Sequence, residues 1–159
     1  MKTNYIDRAI EVNVPASTAY NVWTRFELFP VFMEDVEEVE QLDERRLRWK
    51  AKVLGKDEEW VCEITEQIPD KRIAWQSTDG PSHAGVVTFH RLDDRHTRIM
   101  LQMGYRPDAM QKVADALGLF TRRIDKDLAQ FKEYAEKHGD DIDGWRGEIP
   151  SLPDAKGRR

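Results

Sequence analysis

Apolar and polar residues alternate over most of the chain between residues 5 and 105, and this alternation predicts β-strands. In the first such segment Ile6, Ile10 and Val12 point to one side and acidic residues point to the other, as in a half-buried strand. Short joints rich in Asp, Gly and Pro follow, and joints of this length connect antiparallel neighbours. Six more strands are predicted at 35–42, 45–54, 58–68, 71–77, 83–92 and 96–105. Together with the first strand they predict a seven-stranded antiparallel sheet.

Two other stretches have helical periodicity. Pro15 favours the first turn of a helix, and the aromatic run FELFPVFM that follows contains Pro30, so two short helices are expected between strands 1 and 2. From Pro107 to about Lys137 apolar residues recur every three or four positions, which predicts a helix roughly 45 Å long. A sheet with one apolar face needs a cover, and only this helix is long enough to provide it.

These elements predict an α+β helix-grip fold, in which a curved seven-stranded antiparallel sheet wraps around a long C-terminal helix. The domain is predicted to span residues 1–138. Residues 139–159 are polar and rich in turn-forming residues, so they are expected to form a flexible C-terminal tail.

Strand parity assigns the side chains of the sheet to a charged outer face and an apolar inner face. A curved sheet around one helix cannot collapse evenly, so we expect a cavity near the helix pair at 16–33. The predicted ligand-contacting residues are, from the sheet, Trp49, Trp60, Trp75, His83, Val87, Phe89, Leu101, Met103 and Tyr105; from the long helix, Leu117, Phe120 and Ile124; and from the helix pair, Phe29 and Phe32.

Each polar candidate has a functional and a structural interpretation. His83 is favoured as a rim histidine that meets water, the alternative being a hydrogen bond to a ligand carbonyl or a role as a base. Tyr105 and Ser77 either orient a ligand or cap the core. Three inward tryptophans are either core or cavity wall, and each indole N–H requires a partner when buried. Cys62 is interpreted as an inert buried thiol without a histidine to activate it.

Composition narrows the function classes. Charged residues make up 35% of the chain and the net charge is −5, without the basic stripe that a nucleic-acid binder needs. No apolar run approaches the ~18 residues of a membrane span, and the N-terminus lacks the apolar region of a signal peptide. With a single cysteine, a cytoplasmic protein is expected. The four histidines lack ligand spacing and no nucleotide motif occurs, so neither a metal nor a cofactor is predicted.

Four segments carry a family resemblance: FELFPVFMEDVEEVEQLDERRLRWKA, EWVCEITEQIPDKRIAWQS, AGVVTFHRLDDRHTRIMLQM and DALGLFTRRIDKDLAQFKEY. Over about residues 3–137 the chain resembles the START-like (SRPBCC) superfamily, in its polyketide cyclase/dehydrase and coenzyme Q-binding branch. The resemblance implies one cavity for a lipid, quinone or polyketide. It also implies that an aromatase/cyclase would place an arginine inside the pocket, whereas Arg48 and Arg98 have outward parity here.

We therefore predict binding, transport or sequestration of a small hydrophobic ligand such as a quinone, polyketide or lipid. The catalytic residues are unknown, and the alternative is a polyketide aromatase/cyclase that uses a polar group in the same cavity. A third hypothesis is an interaction domain whose cavity is a packing defect. A monomer or homodimer is expected, with neither nucleic-acid binding nor stable membrane insertion.

Overall fold

The computed structural model describes residues 4–53, 55–79, 83–105, 116–144 and 146–150. Its strands are β1 (Asn4–Val12), β2 (Val36–Gln41), β3 (Arg46–Val53), β4 (Lys56–Ile68), β5 (Arg72–Ser77), β6 (His83–Asp93) and β7 (His96–Tyr105). Its helices are α1 (Ala16–Thr24), α2 (Phe29–Phe32) and α3 (Ala116–His138), with 3₁₀ turns at Phe26–Leu28 and Gly139–Asp141. The predicted seven strands, short helix pair and long helix are confirmed. The predicted helical positions 107–115 lie outside the described residues.

The seven strands form one open antiparallel sheet in the order β1-β7-β6-β5-β4-β3-β2. Strands 2 to 7 follow one another as a meander, while β1 pairs with β7 from Asn4 opposite Tyr105 to Val12 opposite Thr97. The tight turns use residues suited to left-handed backbone, since Gly55 has φ 85° and Asp70 has φ 65°. The meander therefore places inward side chains of neighbouring strands directly opposite each other.

A bulge in β4 changes which side chains point inward. The register shifts between Ile64 and Glu66, so Ile64 lies opposite Trp75 but Gln67 lies opposite Ile73. Gln67 is consequently turned inward and is buried at 2% exposure. Simple alternation along β4 does not predict this change, because a bulge adds one residue to the period.

Aromatic packing fills one end of the space between the sheet and α3. The ring of Trp23 in α1 lies edge-on to Phe131 of α3 at 5.0 Å and to Phe89 of β6 at 6.1 Å between centroids. Phe32 of α2 packs edge-on against Phe131 at 5.3 Å. All four side chains are at most 5% exposed. This end is therefore a solid hydrophobic core.

The segment after α3 differs from the predicted flexible tail. Residues 139–144 and 146–150 lie against the domain, and Ile149 is only 4% exposed. The backbone N–H of Ile149 donates to the carbonyl oxygen of Gln67 at 2.8 Å, and the Gln67 N–H donates back at 2.7 Å. The packed domain thus extends beyond residue 138 to residue 150, and residues 151–159 lie outside the described residues.

Arg146 holds the same segment to two distant parts of the chain. Its Nη1 donates to Asn21 Oδ1 in α1 and its Nη2 donates to Asp70 Oδ1 in the β4–β5 turn, each at 2.6 Å. Its guanidinium also lies 5.5 Å from the centroid of the Tyr20 ring. Sequence composition could not reveal these contacts, because each joins residues more than 70 positions apart.

Candidate functional site

A cavity of about 470 Å³ lies between the inner face of the sheet and α3, beside the aromatic core. Its volume is in the range of small-molecule sites, and most of its lining is apolar. The sheet contributes Leu47, Trp49, Ala51, Trp60, Cys62, Ile64, Ile73, Trp75, His83, Leu101 and Met103, and the helical segment after β1 contributes Trp23, Phe26, Phe29 and Met33. From α3 come Leu119, Arg123, Ile124, Asp127 and Leu128.

The structure separates the predicted site residues into three groups. Those that line the cavity are Trp49, Trp60, Trp75, His83, Leu101, Met103, Ile124 and Phe29. Those that lie in the solid core instead are Val87, Phe89 and Phe32, each at most 5% exposed. The side chains of Tyr105, Leu117 and Phe120 lie outside the described residues. Parity correctly turns Val87 and Phe89 inward, but both belong to the packed core, where Tyr20 and Trp23 of α1 lie edge-on to the Phe89 ring.

Stacked aromatic rings form one wall of the cavity. Trp49 and Trp60 are direct register partners on β3 and β4, and their rings are nearly parallel, 6.1 Å apart. Phe29 lies edge-on to Trp49 at 5.5 Å, and His83 lies edge-on to Trp60 at 5.7 Å. The Trp49 indole N–H is buried without a hydrogen-bond partner among the described residues. The wall is therefore rigid and flat, and the Trp49 N–H in it is available to a ligand.

Gly85 determines the position of the Trp75 indole ring, the third tryptophan of the cavity wall. It is the register partner of Trp75 across β5 and β6. A Cβ atom at Gly85 would come within 2.6 Å of Trp75 Cζ2, so the indole lies directly over bare backbone. A glycine in a strand costs some strand stability, and here it creates the room that the cavity wall requires.

We expect the substitution Gly85→Ala to displace the Trp75 indole toward the cavity. Overpacking of this kind costs about 1–3 kcal/mol of unfolding free energy. Near-UV circular dichroism and urea denaturation measure the two effects. Ala84→Val on the exposed outer face of the same strand is the control, and equal spectra and stability for both variants would contradict the prediction.

A thiol and an imidazole lie together at the cavity wall. Cys62 Sγ is 3.6 Å from His83 Nε2, so the expectation that no histidine lies near Cys62 is wrong. The His83 backbone N–H donates to Ser77 Oγ at 3.0 Å, which fixes the start of β6. Burial raises the pKa of Cys62 to about 12, and the Trp60 N–H only partly opposes this. Cys62 therefore remains a neutral thiol at physiological pH, not a nucleophilic thiolate.

Charged side chains of α3 also line the cavity, so an arginine reaches it from the helix and not from the sheet. Arg123 Nε lies 3.1 Å from Asp35 Oδ2, and its Nη1 lies 3.3 Å from Glu34 Oε1. The same Nη1 is 3.7 Å from Asp127 Oδ1, one helical turn further along α3. Arg48 and Arg98 do lie on the outer face, where Arg48 pairs with Glu40 at 2.5 Å.

Asp127 is the most perturbed carboxyl group at the cavity. Its side chain is 13% exposed, and its Oδ1 has no hydrogen-bond partner among the described residues. Burial raises the pKa of Asp127 to about 7; the Arg123 guanidinium opposes this rise, and the nearby Asp35 carboxylate adds to it. Near neutral pH this carboxyl group is therefore present both as a neutral acid and as a carboxylate.

The sequence contained a signal for these residues. Arg123 and Asp127 are spaced i, i+4, and Asp127 lies three residues after Ile124, which the sequence predicts to face the cavity. Charged residues in an amphipathic helix ordinarily face water, so the pattern favours solvent-exposed side chains at both positions. Their inward position depends on the void beneath α3, which helical periodicity does not predict.

Over the described ranges, no three histidine, cysteine or acidic side chains are grouped closely enough to hold a metal ion. In the same ranges, none of the helices combines the length and apolar character that a membrane span needs.

Fold and cavity together define a helix-grip protein with an internal, largely apolar cavity. The family model for polyketide cyclase/dehydrase and lipid transport proteins matches residues 12–133. The chain belongs to this family. It is also 49% identical over 146 residues to an uncharacterized 17.2 kDa protein in the melC2-rnhH intergenic region of Streptomyces lincolnensis, covering 91% of this chain and 97% of that protein.

Solved structures agree on the fold. The ZhuI aromatase/cyclase from Streptomyces sp. R1128 superposes with a TM-score of 0.75 at 17% identity, covering 86% of this chain and 96% of that chain. A START superfamily protein from Mycobacterium smegmatis superposes with a TM-score of 0.66 at 12% identity, covering 86% and 97%. At these identities the likeness concerns the architecture alone.

Proposed function

We propose that this protein binds and sequesters, or transports, a small hydrophobic ligand in the cavity between sheet and helix. The observation that carries the proposal is the cavity itself: about 470 Å³ walled largely by aromatic and aliphatic side chains. Close-packed interiors rarely leave a space of this size unless it is occupied in function. A quinone, a polyketide or a lipid fits the chemistry of the lining.

The aromatic wall favours a ligand with a flat part. The rings of Trp49 and Trp60 are held in register by two strands and present rigid faces. Rigid aromatic surface binds flat apolar molecules with little loss of side-chain entropy. Membership of a family described by cyclase, dehydrase and lipid-transport activities is consistent with such ligands.

Filling the cavity tests the proposal. Ala51 lines it and is 6% exposed, so Ala51→Phe is expected to occupy ligand volume and lower the affinity for apolar ligands at least tenfold. Ala84→Phe places the same ring on the exposed outer face and serves as the control. Isothermal titration with flat aromatic ketones, quinones and fatty acids measures affinity, and circular dichroism checks folding. If no apolar ligand binds the unaltered protein, the proposal fails.

A second candidate is an aromatase/cyclase-type enzyme acting on a poly-β-ketone. It is favoured by one observation, namely that the cavity is not purely apolar but carries His83 from the sheet and Arg123 and Asp127 from α3. An imidazole can carry protons near neutral pH, which ring closure and dehydration require.

Product profiles distinguish the enzyme from the carrier. A cyclase is expected to shift a reactive poly-β-ketone toward ring-closed aromatic products, and His83→Ala is expected to abolish that shift while the protein stays folded. The corresponding variant Tyr105→Phe tests a second polar side chain that the sequence predicts to contact the ligand. Identical product profiles with the unaltered protein, with either variant and with buffer alone would count against catalysis and leave binding intact.

A further inference from the structure

The Asp127 carboxyl group has an oxygen that no described residue satisfies, at the wall of a cavity whose lining is mostly apolar. It lies on α3 among Ile124, Leu128 and the other apolar residues that line the cavity. Its Oδ1 has no hydrogen-bond partner among the described residues, and its side chain keeps 13% exposure. A buried polar group without a partner is costly, and ordinary packing alone does not explain one at a cavity wall.

The neighbouring arginine does not satisfy this carboxyl group. Arg123 directs Nε to Asp35 at 3.1 Å and Nη1 to Glu34 at 3.3 Å, and it approaches Asp127 only to 3.7 Å. Lys126 is likewise in an ion pair, with its Nζ 3.1 Å from Glu34 Oε1. The basic groups beside Asp127 are thus paired with the acids of the α2–β2 turn, of which Asp35 also lines the cavity.

The charges around Asp127 favour its neutral form. Glu34 and Asp35 are like charges, and desolvation under α3 disfavours a carboxylate further. Lys52, another residue at the cavity, is paired with Asp57 at 2.7 Å, and His83 lies on β6 next to Cys62. A neutral carboxylic acid has a hydrogen to donate, whereas a carboxylate can only accept.

We propose that Asp127 anchors the ligand by donating a hydrogen bond, as a neutral acid, to a carbonyl oxygen on an otherwise apolar molecule. This inference rests on the proposed binding function and narrows its ligand class to flat apolar ketones or quinones. The aromatic wall contacts the ligand face, and Asp127 fixes which end of the ligand lies under α3. Binding is consequently strongest where Asp127 keeps its proton, and it weakens as the pH rises above neutrality.

A matched ligand pair tests the anchor. Fluorenone and fluorene share one flat skeleton and differ in a single carbonyl group. By isothermal titration at pH 6.0, the unaltered protein is expected to prefer fluorenone about fivefold to tenfold, the effect of one net hydrogen bond. At pH 8.5 the preference is expected to disappear, because a carboxylate cannot donate.

Three variants assign the effect to Asp127. Asp127→Asn keeps a donor that does not titrate, so the preference for fluorenone is expected at both pH values. Asp127→Leu is expected to bind both ligands equally at both pH values. Asp125→Asn, on the same helix but paired with Arg8 at 2.6 Å, is the control and is expected to behave like the unaltered protein. Because His83 is unchanged in all three, its own titration cannot produce this pattern.

The possible failures are distinguishable. Equal binding of fluorenone and fluorene by the unaltered protein at pH 6.0 overturns the anchor but leaves the apolar cavity as a binding site. A preference that persists unchanged in Asp127→Leu also overturns it. If neither ligand binds the folded protein at either pH, both the anchor and the proposed function are overturned.

Discussion

Ending the chain at residue 138 is expected to destabilise the domain by about 3–5 kcal/mol. The truncation exposes the surface that Ile149 covers, which is otherwise 4% exposed. It also leaves the backbone N–H and carbonyl of Gln67 without partners, and removes the Arg146 contacts to Asn21 and Asp70. Buried backbone groups that lose their partners carry the full desolvation cost.

Urea denaturation of matched chains measures this effect. A chain ending at residue 150 keeps all of these contacts and is the control. Within the 159-residue chain, Ile149→Ala is expected to account for about 2–4 kcal/mol of the loss, as large-to-small core substitutions do. If the chain ending at 138 unfolds at the same midpoint as the control, residues 139–150 contribute nothing to the fold.

The second large effect concerns Asp127 and the pH dependence of stability. The pKa of Asp127 is about 7 in the folded protein, above the 3.8 that an aspartate has in an unfolded chain. Below about pH 4 both states hold the proton and no stability is lost. Between pH 4 and 7 only the folded state holds it, so stability falls as pH rises, and above pH 7 the loss is constant.

Asp127→Asn removes this loss. Compared with the unaltered protein, the variant is expected to gain about 1–2 kcal/mol at pH 8, because an amide has no charge to desolvate under α3. At pH 5 the gain is expected to be smaller. Urea denaturation at pH 5, 6, 7 and 8 traces the difference, with Asp125→Asn as control. A gain independent of pH would show that Asp127 does not titrate in this range.

The regular part of the fold could be predicted because alternation and helical periodicity are local. Each strand of the sheet was predicted to within a few residues, and alternation along β3 and β4 placed Trp49 and Trp60 on the inner face. The β4 bulge lies beyond such reasoning, since one extra residue changes the inward set from Ile64 to Gln67 without any composition signal.

Only part of the candidate site could be predicted from the sequence. Parity tells which side chains turn inward, but not whether another element fills the space in front of them. Phe89 meets α1 and becomes core, whereas Trp75 meets open space and becomes cavity wall. Asp127 was missed for a related reason, because an acid on an amphipathic helix is solvated unless a void lies beneath it. Such distinctions depend on how distant elements pack, and one sequence does not encode them locally.

The pairing of β1 with β7 determines when this protein is able to fold during synthesis. Asn4 leaves the ribosome first among the sheet residues, yet its partner Tyr105 emerges only after six further strands. At bacterial-to-eukaryotic elongation rates of ~5–20 residues per second, β1 waits about 5–20 seconds with Ile6, Ile10 and Val12 unpaired. The nascent chain therefore folds correctly only if β1 avoids non-native contacts during this time. Mutations that make β1 more apolar are expected to lower the yield of folded protein even where they leave its unfolding free energy unchanged.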